Sequence, residues 1–458
     1  MTKQNIATVG EPVGGHAAVE QMQAHRSGIS ASRRRAILFM LCFIYMLNYL
    51  DRQIIVILQE PIKAEFQLQD WHLGLLTGAA FGFFYTVMGV PIAQIVDRGI
   101  NRTRLLAGLV AVWSAMTAVC GMSRGYAHFF MARMGVGLAE SGFTPTAHAL
   151  ISDLYPAAER PRALGIFSLG IPLGVMAGLS IGGLVAQYSN WRTALFVAGA
   201  PGIVAAVVFA LFAREPIRGA MENVRDAAAK SIVPIAFANA LKLLLRRISF
   251  VHVIIATAVT SFVEAAMMAW VPSYLIRSHG LPLAEVGPMM GVIAGAGGAI
   301  GTMFGGWQAS RLGRKGMDAM LWLPIAGLLL CVPLYIAVFH FSSGRFALAI
   351  LLLPTIFGAF WTAPAIALTQ NLSPVATRAR AAAVRIVAAN LIGVSTGPLV
   401  CGLLSDWFGR MFGDPSAGLR MALTIFSAAF LWAAFHWLLA LRALRRERED
   451  AAVEMAIA

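Results

Sequence analysis

The chain has 458 residues, 58% hydrophobic and 13% charged, with a formal net charge of +14. Soluble domains average about 25% charged and 45–50% apolar residues, so this composition excludes an ordinary water-soluble protein and indicates a polytopic membrane protein. The basic excess alone would suit a nucleic-acid partner, but its placement along the chain, described below, excludes one.

Residues 1–35 are polar and rich in Gly and Ala, as expected of a disordered cytoplasmic tail. The first apolar run follows Arg33, Arg34 and Arg35 and is long enough to span, so it is expected to remain as a helix and not to be cleaved as a signal peptide. A crossing takes about 20 mostly apolar residues. Six such runs fall at 36–58, 72–95, 104–122, 127–151, 161–187 and 192–213. A polar, charged stretch over 214–247 separates them from six more, at 248–275, 285–309, 317–340, 345–371, 380–404 and 418–442. Within the separator, ALKLLLRRISF (240–250) reads as a helical connector, with a basic amphipathic helix on the inner surface as the other reading. Residues 444–458 form a second cytoplasmic tail. The expected fold is all-α, with twelve transmembrane helices in two six-helix bundles (36–213 and 248–443) and both termini cytoplasmic.

Basic residues bias loops to the cytoplasm. With both ends inside, 26 of the 36 Lys and Arg residues fall on the cytoplasmic side, seven on the other, and only Arg52, Arg133 and Arg385 lie within spans away from their ends. The charge therefore reports topology, and no nucleic-acid partner is expected. The halves also repeat. DLYPAAERPR (153–162) links runs four and five, and NLSPVATRAR (371–380) links ten and eleven; AQIVDRGINR (93–102) has its counterpart in GWQASRLGRK (306–315). Two parallel six-helix repeats are a known transporter plan, with substrate held between them near the midplane.

These loop motifs resemble the major facilitator superfamily over nearly the whole chain. GWQASRLGRK matches its loop signature with Ser310 in place of the acid, and the first copy keeps Asp97, Arg98 and Arg102 but has Ala93 for the leading glycine. Four further patches, NYLDRQ (48–53), RMGVGLAESGFTP (133–145), WRTALFVAGAPG (191–202) and EPIRG (215–219), resemble the Spinster-like family. That resemblance implies a carrier of lysophospholipids or sphingoid-base phosphates, driven by a proton gradient. Gly165, Gly174, Gly178, Gly182 and Gly183 follow the spacing of the superfamily's antiporter signature, with Leu179 where proline is expected. Independently, Gly170, Gly174, Gly178 and Gly182 recur every four residues, which lets a second helix backbone approach closely.

A charge at the centre of a spanning helix costs about 2.5–3.5 kcal/mol on insertion scales. Asp51 and Arg52 sit side by side in the first run, where adjacent helical residues diverge by about 100° and cannot face each other. Each needs a partner on another helix or in a wet cavity. Arg133 and Glu140 in the fourth run are seven apart and share one face. The resemblance matches all four to the family's buried acid–base groups and implies that the acids carry protons. Low-dielectric surroundings favour a neutral carboxyl and a guanidinium favours a charged one, so an acid between them can exchange a proton. Asp51 is expected to exchange the coupling proton, with Glu140 sharing or relaying it, against the alternative of a permanently ionised structural network. Arg52 or Arg133 would hold an anionic head group, since a planar guanidinium binds phosphate or carboxylate bidentately. Asn48, Tyr49 and, on the seventh run, Glu264 are expected to line the same substrate or relay path. Asp97, Arg98, Arg102, Arg160 and Arg162 are expected to form a cytoplasmic gate.

Cys42, Cys120, Cys331 and Cys401 lie in apolar runs without CxxC spacing, and His128 and His148 are solitary, so no cofactor or metal site is expected. A membrane enzyme would need a nucleophile–base or metal motif; HExxH is missing from the chain, and there is no paired Cys/His cluster. A channel would need a repeated filter motif. The leading reading is a monomeric, proton-coupled carrier of an amphipathic anion such as a lysophospholipid, surrounded by membrane lipids. The alternatives are import of a small organic, aromatic or sugar acid, and multidrug efflux.

Overall fold

A backbone in lipid must satisfy its hydrogen bonds internally, which apolar runs of this length can do only as helices. The computed structural model describes residues 28–219, 221, 237–374 and 377–457, and among these the regular structure is helical throughout. Residues 1–27 of the expected first tail, 220 and 222–236 of the expected central loop, 375–376, and residue 458 of the second tail lie outside the described residues.

The first half contains α1 (Ala31–Ile57), α2 (Gln59–Phe66), α3 (Asp70–Thr77), α4 (Ala79–Asp97), α5 (Arg102–Gly121), α6 (Tyr126–Glu140), α7 (Phe143–Leu154), α8 (Arg160–Ser168), α9 (Gly170–Tyr188) and α10 (Trp191–Phe212). A short α11 (Phe237–Leu245) follows. The second half contains α12 (Ile248–His279), α13 (Leu283–Val292), α14 (Gly298–Gly313), α15 (Met317–Met320), α16 (Trp322–His340), α17 (Gly344–Gly358), α18 (Thr362–Asn371), α19 (Arg378–Val387), α20 (Ser395–Phe412) and α21 (Pro415–Ile457). Local chemistry sets several ends. The side chains of Asn101, Asn190 and Ser343 cap α5, α10 and α17 by accepting from backbone N–H groups of the first turn. Gly280 and Gly413, at φ +64° and +67°, take the left-handed conformation that ends α12 and α20.

Eleven helices among the described residues are long and apolar enough to cross a membrane. The remaining expected run, 127–151, is broken at Ser141–Gly142 into α6 and α7, each too short to qualify alone. Pro145 cannot donate to the Ser141 carbonyl, and Gly142 weakens the turn further. The break leaves Glu140 as the last residue of α6. The tails also differ from expectation at their edges. Helix α1 begins at Ala31, so Arg33, Arg34 and Arg35 belong to it, and α21 continues through 444–457.

Helix α9 packs on α1 along the expected glycine stripe. A Cβ on Gly174 would fall 2.3 Å from the Met46 carbonyl oxygen, inside any permissible contact. The halves meet chiefly through α9 against α13 and α3 against α20, towards the C-terminal end of α1. There Gly183 and Gly287 face each other, and a Cβ on either would lie 2.5 Å from a carbonyl oxygen across the interface. The four crossings that make the chief contacts between halves are irregular partway along. The α3–α4 helix is interrupted at Gly78, α8–α9 at Leu169, and π-helical turns at Ile293–Gly297 and Ala388–Val394 join α13 to α14 and α19 to α20. Such turns release backbone hydrogen bonds and mark places where a helix bends.

Candidate functional site

The buried charges converge. Arg52 Nε donates to Glu140 Oε2 at 2.8 Å, with Glu140 fully buried. Arg133 Nη1 donates to the backbone carbonyl of Asp51 at 3.1 Å, and the Thr117 hydroxyl donates to Asp51 Oδ2 at 3.1 Å. Asp51 and Arg133 are each 2% exposed. The second oxygens Asp51 Oδ1 and Glu140 Oε1, together with Arg133 Nε and the Asn48 amide, make no hydrogen bond among the described residues. The site therefore has unused donor and acceptor capacity in a place where burial makes it expensive. Aromatic rings hold the cations: the Arg52 guanidinium lies 4.9, 4.6 and 4.6 Å from the ring centres of Tyr49, Phe81 and Tyr85, and Arg133 shares Phe81 at 5.1 Å.

Two cavities adjoin this cluster. One, of about 340 Å³, runs between the halves and is lined by Tyr49, Arg52, Gln53, Tyr85 and Arg133 on one side and Ser261, Glu264 and Asn390 on the other. The second, of about 560 Å³, is lined mainly by apolar side chains of α8, α9, α12–α14 and α17, several of them methionines. Glu264 and Met268 line both. Trp361 Nε1 donates to Glu264 Oε1 at 2.9 Å, so the shared carboxylate is fixed from behind. Asp51 and Glu140 lie behind the arginines, outside the lining of either cavity.

The residues expected to form a cytoplasmic gate are dispersed. Arg102 bonds Asp153 and Glu215 at 2.6 Å each, tying α5 to α7 and to the segment after α10 within one half. Arg160 donates to the Ser152 and Tyr155 carbonyls and closes the end of α7. Arg98 is exposed, Arg162 lines a separate cavity, and the Asp97 side chain lies outside what the structure describes.

A polar latch that sequence reasoning missed joins the halves at the other end. Arg277, ending α12, bonds Asp70 at 2.8 Å and Glu60 at 2.7 Å. Lys63 and the Ser405 hydroxyl also bond Asp70. Asp406 on α20 accepts from the backbone N–H groups of Asp70 and Trp71 at 2.9 and 2.8 Å, capping α3 from the opposite half. In sequence these are loop-edge residues, of which only Lys63 and Arg277 enter the reading, and then only in the topology count. Trp361, Tyr85 and Thr117 were also missed, because an aromatic or Thr in an apolar run carries no sign separating packing from a site.

A family model described as Major Facilitator Superfamily matches residues 41–395. An MFS-type efflux pump of Mycolicibacterium smegmatis is 31% identical over 435 residues, covering 95% of this chain and 99% of that protein. Protein spinster homolog 1 of Homo sapiens is 29% identical over 404 residues, covering 84% of this chain and 75% of that protein. A crystal structure of a bacterial homolog to the human lysosomal transporter Spinster, inward-facing and unoccupied, matches with TM-score 0.84 at 28% identity, covering 91% of this chain and 98% of that one.

Proposed function

This chain belongs to the Major Facilitator Superfamily, in its Spinster-like group, and is a multi-pass membrane transporter of small molecules, not an enzyme; we propose that it carries an amphipathic organic anion such as a lysophospholipid, coupled to protons, by alternating access. One observation carries the reading. The arginine-lined cavity and the larger apolar cavity share a wall at Glu264 and Met268, which suits a ligand with an anionic head and a hydrocarbon tail.

Charge balance supports proton coupling. Asp51, Glu140, Arg52 and Arg133 sum to zero when all are ionised. Protonating either acid leaves one uncompensated guanidinium charge next to the head-group cavity, which attracts an anion. Releasing the proton restores the Arg52–Glu140 pair and expels it. Asp51 is the proposed exchanger, and Glu140 the relay that hands Arg52 to the cargo. The distribution of basic residues supports an orientation with the latched end outward and the cavities toward the cytoplasm.

The test is ligand-dependent thermal stabilisation of the purified protein followed by transport in proteoliposomes. Stabilisation and pH-driven flux with lysolipids, and none with short carboxylates, is the expected outcome. Stabilisation by short carboxylates alone removes the reading. Stabilisation by uncharged hydrophobic drugs would favour efflux, a second reading supported by the similarity to the mycobacterial pump and by the methionine-rich cavity.

A further inference from the structure

A third cavity, of about 330 Å³, opens where the start of α1 meets the start of α8. Arg34 and Arg35 of α1, Arg162 of α8, and Tyr155 and Glu159 of the α7–α8 link form its polar wall. Arg34 is buried and anchored: Nη1 donates to the Leu154 carbonyl at 3.2 Å, and the guanidinium lies over the Tyr155 ring at 5.5 Å. Tyr155 is 8% exposed, yet its hydroxyl makes no hydrogen bond among the described residues. Buried phenols normally find a partner, so an unpaired one lining a basic cavity points to a ligand oxygen.

Position narrows the ligand. Leu38 and Phe39 precede Arg52 and Gln53 by about four helical turns, so this cavity lies on the face of α1 that lines the central cavity, about 21 Å along the helix. Phe39 is 62% exposed there, providing apolar surface beside the arginines. Three arginines face one glutamate.

We propose that this cavity binds the phosphate head of an anionic lipid at the end of α1 remote from the latch. Arg35 and Arg162 hold the phosphate oxygens, Tyr155 donates its hydroxyl to one of them, and the acyl chain lies along Phe39 and Ile166. Guanidinium groups suit phosphate because their planar N–H forks match its oxygens. The site is separate from the cargo cavity and stands whether or not the cargo is an anionic lipid.

The experiment measures binding of 1-oleoyl lysophosphatidic acid, monoolein and inorganic phosphate to the full chain in detergent, with native mass spectrometry for stoichiometry. All arms are run in an Arg52→Gln background, so that failure of the cargo reading registers separately, as unchanged stoichiometry on restoring Arg52. Lysophosphatidic acid is expected to bind, and Arg35→Gln with Arg162→Gln to weaken it by about tenfold or more. Tyr155→Phe is expected to weaken it by about fivefold. Arg104→Gln, exposed and outside the cavity, leaves it unchanged. Unchanged affinity in the double variant, or equal binding of monoolein, overturns the proposal. Full displacement by an equal concentration of inorganic phosphate overturns the assignment to a lipid.

Discussion

Arg52 donates to Glu140 on α6 at 2.8 Å, while Asp51, its neighbour in the chain, accepts from Thr117 on α5. Residues adjacent in sequence thus serve different helices, and α1 is tied to the rest of its half through both. The arrangement holds two acids and two arginines in one buried volume, with only the arginines lining the cavity.

Asp51→Asn is expected to abolish pH-driven uptake in proteoliposomes while binding of an anionic ligand at fixed pH persists or tightens, since no lining residue is lost and the neutral amide mimics the protonated acid. Glu140→Gln leaves Arg52 without its anion and is expected to tighten binding of an anionic ligand. Coupling that is unchanged in Asp51→Asn would remove this residue from the mechanism.

Arg277→Gln breaks the latch to Asp70 and Glu60. Losing one partner of a largely buried ion pair costs about 3 kcal/mol. The state closed at this end should lose population by roughly a hundredfold relative to the open one. Spin-label distances between α3 and α20 at the latched end report the change, and an unaltered distribution would show that the latch does not hold the halves.

Gly183→Val and Gly174→Val should separate gating from folding. A side chain at Gly183 collides with α13 across the halves, so the closed state is lost with little change in melting temperature. At Gly174 the collision is with α1 inside one half, and the melting temperature should fall by several degrees. Equal effects on both measurements would contradict the assignment.

Trp361→Phe removes the donor to Glu264 without changing the apolar wall much. The freed carboxylate can turn into either cavity, and the apparent affinity for an anionic amphiphile should fall about threefold or more while that for a neutral one holds. Paired binding measurements with ligands of equal tail length read this directly.

Glu65, on α2 outside the spans, accepts from Arg192 and from the Trp191 indole at 2.6 Å each. The Arg192 hydrogen bond holds its carboxyl below the usual carboxylate range. Because the folded value is the lower one, the stabilisation is full above the ordinary carboxylate pKa near 4.3 and disappears as pH falls through the folded value. The pair is well exposed, so the effect is small. Melting curves of Glu65→Gln and the parent protein should differ slightly at pH 7 and coincide at low pH.

The crossings were legible in the chain because lipid imposes one rule, internal hydrogen bonding, on every long apolar run. The break at Ser141–Gly142 was legible only in part. Gly142 and Pro145 are visible as helix breakers, yet a 25-residue apolar run still reads as continuous until the backbone is traced. The buried charges announced themselves because few residues are so costly at that depth. The latch did not: Glu60, Asp70, Arg277 and Asp406 sit where charges are cheap, and nothing local distinguishes a gate from a solvated loop edge. The expected gate at Arg102, Arg160 and Arg162 instead separates into a tie within one half, a helix stop and a cavity wall.

What the sequence determined by itself was the medium, the helices and the presence of ionisable groups needing partners, since each follows from the solvation of single segments. Which arginine meets which acid, where the two cavities join, and which end of the molecule is shut were decided only in three dimensions. Those features depend on distances between helices far apart in the chain, and pairing free energies vanish over a few ångströms.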